Sequence, residues 1–201
     1  MTISLSKARL ASAGIGAFFR PRDIEPIGVS FRQLQTLVSQ GTVEKLGEGL
    51  YRLSEIEPTE LETIAMVASA APNAIVCLLT ALRVHEIGTQ SPHEVWIALD
   101  RKGRKPTRVP TKLRIVRFSG AMLTYGVIKR SMLGVPVSIT SPARTIVDCF
   151  RYRNKVGLDV AMEALRDGVR TRKAMVQEIW RAAEVCRIRT VIGPYLDALS
   201  A

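Results

Sequence analysis

Ser30-Phe-Arg-Gln-Leu-Gln-Thr-Leu-Val-Ser-Gln-Gly41, followed by Thr42-Val-Glu-Lys-Leu-Gly-Glu-Gly-Leu-Tyr-Arg-Leu53, is the stretch on which the reading of this chain turns. Its first half predicts a short helix with defined ends. Ser30 is a good N-cap, Gln33 stands three residues on as its capping-box partner, and Leu34, Leu37 and Val38 recur at helical spacing up to Gly41. The second half predicts two short strands around Gly47 and Gly49, glycines that supply the positive φ of a β-hairpin turn. With the apolar stripe turned inward, Arg32, Gln33, Gln35, Thr36 and Gln40 face outward, and no acid lies between residues 29 and 43. Such side chains suit base edges in a DNA groove: Arg bonds guanine, Gln bonds adenine, and Ser30 or Thr36 reaches a base or a phosphate. Lys45 and Arg52 on the hairpin are candidate phosphate contacts, whereas Glu48 at its tip opposes deep entry into a minor groove.

Upstream, residues 5–13 read as a first helix, with Leu5, Ala8 and Leu10 or Ala11 on one side, ended by Gly14 and Gly16. Phe18 and Phe19 are a core anchor, and Pro21 opens a second short helix through Glu25 that Pro26 and Gly28 close. Helix, helix, capped helix and glycine-tipped hairpin in this order predict a winged helix-turn-helix over residues 1–56, its capped helix entering the major groove. Residues 57–201 predict a mixed α/β domain, so the fold class expected is α+β. Thr59 caps a helix that runs to Pro72, and a second helix spans Leu78–Ile87. Strands at 94–100, 113–118, 127–130 and 135–139 predict a sheet of about four strands, and helices follow near 142–150, 158–169, 173–186 and 191–199.

The net charge of +11 is unevenly spread. Residues 101–153 carry thirteen Lys or Arg and one acid, Asp148, while residues 1–57 carry seven against six. A basic concentration of this kind attracts polyanions by long-range electrostatics and counterion release. Within it, Asp100-Arg-Lys-Gly-Arg-Lys-Pro-Thr-Arg108 is a loop with five cations in the eight positions after Asp100. Arg101, Lys102, Arg104 and Lys105 are therefore expected to add phosphate contacts without reading sequence.

Other functions find less support. The three cysteines, Cys77, Cys149 and Cys186, lie apart in apolar runs and read as buried thiols, and neither His85 nor His93 has zinc-ligand spacing. No metal, cofactor or catalytic residue is expected. Asp100-Arg-Lys102 has the form of the acid-x-Lys end of a nuclease site, but residues 101–147 hold no further carboxylate, leaving only Glu86 and Glu94 upstream. Asp148 and Arg144 are spaced for an intrahelical ion pair. No apolar run reaches the roughly 18 residues needed to span a bilayer, and Met1–Lys7 lacks the apolar centre of a signal peptide, so a cytoplasmic protein without a membrane partner is expected.

The run Arg32–Gly41 followed by Gly47-Glu-Gly-Leu-Tyr51 resembles the N-terminal winged helix of AbiEi-type antitoxins of type IV toxin-antitoxin systems. Thr80-Ala-Leu-Arg-Val-His-Glu-Ile-Gly88, Val95-Trp-Ile-Ala98 and Val135-Pro-Val-Ser-Ile-Thr-Ser-Pro-Ala-Arg-Thr-Ile-Val-Asp148 are similar to blocks of that family's C-terminal region. The resemblance covers nearly the whole chain. It implies an abortive-infection, phage-defence protein that represses its own operon at promoter inverted repeats and counteracts a nucleotidyltransferase-like toxin encoded beside it, without implying direct contact with that toxin. It also implies DNA-binding roles for Arg32, Gln33, Thr36, Lys45 and Arg52. Two alternatives stand beside it: a winged-helix regulator of other genes whose C-terminal domain senses a ligand or partner, and a DNA-processing nuclease.

Overall fold

The structure, a computed structural model, describes residues 14–15, 18–47, 49–54, 61–107, 109 and 111–200. Its architecture is mixed α+β, with nine helices and two small sheets, of three and five strands, among the described residues. The helix expected over residues 5–13, the link at 55–58, the Thr59 cap, Glu48 and Arg108 lie outside the described residues. The chain divides into two compact units: residues 1–72 with 106–111 and 130–137, and residues 73–105 with 112–129 and 138–201.

The first unit holds β1 (Phe18–Phe19), α1 (Pro21–Ile24), a 3-10 turn (Glu25–Ile27), α2 (Phe31–Ser39), β2 (Val43–Gly47), β3 (Leu50–Leu53) and α3 (Glu62–Ala70). Proline and glycine set the first turns: Pro21 opens α1, and Gly28, at φ 77, takes the left-handed conformation that ends the 3-10 turn. The predicted hairpin forms and gains a strand, since β1 pairs antiparallel with β3, Phe19 opposite Tyr51, to give the order β1-β3-β2. The aromatic pair expected as a core anchor is thus also sheet. Phe19 stacks on Tyr51 with centroids 6.0 Å apart. Around them Ile24, Val29, Leu34, Leu37 and Val43 close one small core; each large apolar side chain so buried is worth about 2 kcal/mol. This unit runs past residue 56 because α3 is tied to the elements before it. Ser69 Oγ donates to the Phe18 carbonyl at 3.4 Å, Arg20 Nη2 donates to the Ala70 carbonyl, and Arg52 pairs with Glu62.

The five-stranded sheet has the order β6-β5-β4-β8-β7, from β4 (Ile75–Val76), β5 (Val95–Asp100), β6 (Leu113–Phe118), β7 (Val127–Met132) and β8 (Val135–Thr140). It has one strand more than the four expected: Ile75–Val76, only two residues long, pairs antiparallel with β5 and parallel with β8. Strand β5 is buried from Val95 to Leu99. One core unites the sheet with α4 (Leu78–His85), α5 (Pro142–Arg151), α6 (Arg153–Val156), α7 (Leu158–Arg170), α8 (Val176–Val185) and α9 (Arg189–Ser200): α4 lies on β5, and α7, α8 and α9 gather around α5. Ser141 caps α5, and Pro142 occupies its first turn, as expected from their chemistry. Every residue of α5 from Ala143 to Phe150 is buried, including Arg144 and Asp148.

That burial makes Arg144 the tie-point of the second unit. Its Nε donates to Asp148 Oδ1 at 3.0 Å, Nη1 to the Tyr125 carbonyl at 2.5 Å and Nη2 to the Met122 carbonyl at 3.2 Å, and the guanidinium lies 4.9 Å from the Phe118 ring centroid. The expected i,i+4 ion pair forms, then, but inside the core, where it also gathers the segment between β6 and β7. Asp148 Oδ2 is buried and has no hydrogen-bond partner among the described residues, and burial, opposed by Arg144, raises the carboxyl pKa to about 6.

Candidate nucleic-acid interface

Helix α2 exists because its ends are closed locally. Gln33 N donates to Ser30 Oγ at 3.3 Å, and Ser30 N donates back to Gln33 Oε1 at 2.8 Å, completing the capping box. Val29 before the cap and Leu34 on the first turn are both buried in the same cluster, as in a hydrophobic staple. Leu34 and Leu37 face the core, leaving Ser30, Arg32, Gln35 and Gln40 exposed. Thr36 is half-buried, and its hydroxyl donates to the Arg32 carbonyl at 3.0 Å.

These contacts sort the expected base-reading residues. Arg32 and Gln35 present their polar ends to solvent. Gln33 is half-buried with Oε1 held by the cap, so bidentate bonding to adenine requires it to leave the cap. Sequence reasoning also passed over Phe31, the first residue of α2, which is 61% exposed. The sequence hid it, since Phe31 stands three residues before Leu34 and seven before Val38, a spacing that continues the apolar stripe, and only the structure shows it exposed.

On the hairpin, Lys45 is exposed, but Arg52 is not a free cation. It stands opposite Glu44 across the β2–β3 ladder and is bonded through Nη2 to Glu44 and through Nη1 to Glu62. The hydrogen bond that Arg52 donates to Glu44 raises its pKa, against the opposing effect of burial. Arg52 therefore offers little charge to a phosphate while both carboxylates hold it.

In the second unit, β5 and β6 run parallel in full register, Val95 opposite Leu113 and Asp100 opposite Phe118. Parallel pairing requires the connection between them to return along the whole strand length, about 20 Å for six residues. Arg101, Lys102, Arg104 and Lys105 lie exposed on this return. Its root is fixed: Arg117 Nη1 donates to the carbonyls of Asp100 at 2.7 Å and Gly103 at 2.6 Å, and Asp100 Oδ1 accepts from the Lys102 N–H at 2.7 Å. Asp100 thus shapes the turn. Other cations of the basic stretch are engaged elsewhere: Arg144 in the core, Arg114 with Glu94 and over Trp96, Arg151 with the Cys186 carbonyl and Arg153 with that of Phe150. The exposed charge is concentrated at Arg101, Lys102, Arg104, Lys105, Lys112, Lys129 and Arg130.

His85 is buried, its Nε2 2.7 Å from the Thr140 carbonyl oxygen, and His93 is exposed. Cys77, Cys149 and Cys186 are buried free thiols, and burial raises the pKa of each. Among the described residues no group of three or more His, Cys, Asp or Glu is placed to hold a metal ion, and no helix is long and apolar enough to cross a membrane. Among known proteins the chain matches no family model, and no curated protein matches it significantly.

Proposed function

We propose that this chain binds duplex DNA through a winged helix-turn-helix made of α1, α2 and the β2–β3 hairpin, and that it is an autorepressing antitoxin of the AbiEi type. The observation that carries the DNA-binding reading is the outer face of α2. Arg32 and Gln35 are exposed on a capped helix whose other side is buried, with no acid between residues 29 and 43 and with the β2–β3 hairpin following in the same unit. A helix so presented fits a major groove, where Arg32 reads guanine and Gln35 adenine. Lys45 and the loop cations Arg101, Lys102, Arg104 and Lys105 hold phosphates and supply most of the salt-dependent affinity, while the Ser30 hydroxyl, which donates to Gln33 Oε1, lies beside the phosphates. The antitoxin reading rests on the resemblance of Arg32–Tyr51 and of the later blocks to that family. In this account the protein occupies inverted repeats in its own promoter, blocks transcription, and counteracts a nucleotidyltransferase-like toxin encoded alongside.

The test is co-expression with the neighbouring gene, scoring growth and the activity of a reporter fused to the upstream DNA in the same cells. Reporter repression that Arg32→Ala abolishes, together with rescued growth, supports both halves. Repression without rescue overturns the antitoxin half and leaves a regulator. Unrepressed reporter overturns the DNA-binding half.

A further inference from the structure

Five large apolar side chains are exposed among the described residues: Phe31, Leu61, Leu158, Met175 and Leu199. Only Phe31 is aromatic, and it begins the helix whose outer face carries Arg32 and Gln35. The start of α2 does not need it. The N-cap bonds come from Ser30 and Gln33, and the apolar closure comes from Val29 and Leu34, both buried. The first helical position favours proline or an acid, which suits the positive end of the helix dipole, and an exposed phenylalanine there has a helix propensity well below alanine. Phe31 is one turn before Gln35 and next to Arg32, so the three share the N-terminal end of the exposed face.

We propose that Phe31 is a specificity-determining residue that reads thymine, its ring packing on the C5-methyl group while Arg32 and Gln35 bond neighbouring base edges. The inference rests on the reading of α2 as the helix that enters the major groove. Thymine is the base that presents an apolar group there, and phenylalanine is among the side chains that can contact it. The absence of acids from residue 29 to 43 lets an apolar ring approach the duplex without like-charge repulsion from its own helix.

Deoxyuridine lacks only that methyl, so it isolates the contact. Wild-type protein first selects sequences from a pool of randomised duplexes. Each thymine of the selected duplex is then replaced singly by deoxyuridine, and affinities are measured for wild type, Phe31→Ala and Phe31→Leu. At one thymine per half-site the replacement should weaken wild type about fourfold, the worth of one buried methyl. The same replacement should leave Phe31→Ala unaffected and give Phe31→Leu an intermediate loss. With Phe31 61% exposed, both variants should keep the wild-type urea midpoint. Enrichment of a defined sequence with deoxyuridine losses identical in wild type and Phe31→Ala overturns this inference alone. A pool from which wild type enriches nothing overturns the groove-reading of α2, and this inference with it.

Discussion

Arg52 is held by two carboxylates, and releasing it should turn a silent cation into a phosphate contact. The Arg52–Glu44–Glu62 cluster carries a net charge of −1, and the double variant Glu44→Gln/Glu62→Gln brings it to +1 without changing side-chain size. One additional phosphate neutralised steepens the dependence of log K on log salt by about 0.9, which at 0.1 M salt corresponds to about eightfold tighter binding. The Arg52 side chain is 23% exposed and that of Glu62 17%, so losing their pair costs more than the about 1 kcal/mol of an exposed one, and a urea titration checks that the double variant folds. Fluorescence anisotropy on the duplex upstream of the coding sequence, across a salt series, reads the slope directly. Adding Arg52→Ala to the double variant should restore the shallower wild-type slope, whereas Arg52→Ala alone should change it little. An unaltered slope in a folded double variant would refute the assignment of the hairpin to the DNA-facing side.

Three further expectations follow from single features. Replacing Arg101, Lys102, Arg104 and Lys105 by Ala should weaken binding to specific and unrelated duplexes alike and reduce the salt slope by up to about 3.6, four contacts at about 0.9 each; a slope equal to wild type removes the loop from the interface. Ser30→Ala should cost about 1 kcal/mol of stability by urea titration through loss of the cap, while Ser30→Asp should keep the cap yet lose DNA affinity, because a carboxylate then faces the phosphates. Equal DNA affinity for Ser30→Asp and wild type would place Ser30 away from the duplex. The folded protein holds the Asp148 proton with a pKa of about 6, above the ordinary value of about 3.9, so this group stabilises the fold increasingly as pH falls between those two values. The unfolding free energy from urea titration should rise for wild type relative to Asp148→Asn by up to about 1.4 kcal/mol for each unit the pH falls in that window. A pH-independent difference would show that Asp148 titrates normally.

What could be read from the chain beforehand depended on how local the deciding contacts are. The Ser30–Gln33 box is made of bonds three residues apart, so residue types and spacing sufficed, and α2 ends where Gly41 follows it. Strand β6 was legible over Leu113–Phe118 because six residues carry a pattern. Phe18–Phe19 and Ile75–Val76 are too short to show a period, and each is a strand only because a distant partner, Tyr51 or Ala98, lies beside it. The same holds within the candidate site. Glu44 as a partner of Arg52 follows from hairpin register, but Glu62 reaches it only through the packing of α3. The positive stretch from residue 101 to 153 was visible as a count, yet only tertiary structure separates its exposed loop cations from Arg144, which is buried in the core.

The account depends on the outer face of α2 being what recognises DNA. The most direct measurement compares affinities for the duplex upstream of the coding sequence and for an unrelated duplex of equal length at one salt concentration, with wild type and Arg32→Ala/Gln35→Ala. Wild type should prefer its own upstream duplex by about a thousandfold or more, and the variant should lose most of that preference while keeping its affinity for the unrelated duplex. A folded variant that retains the full preference would contradict the account.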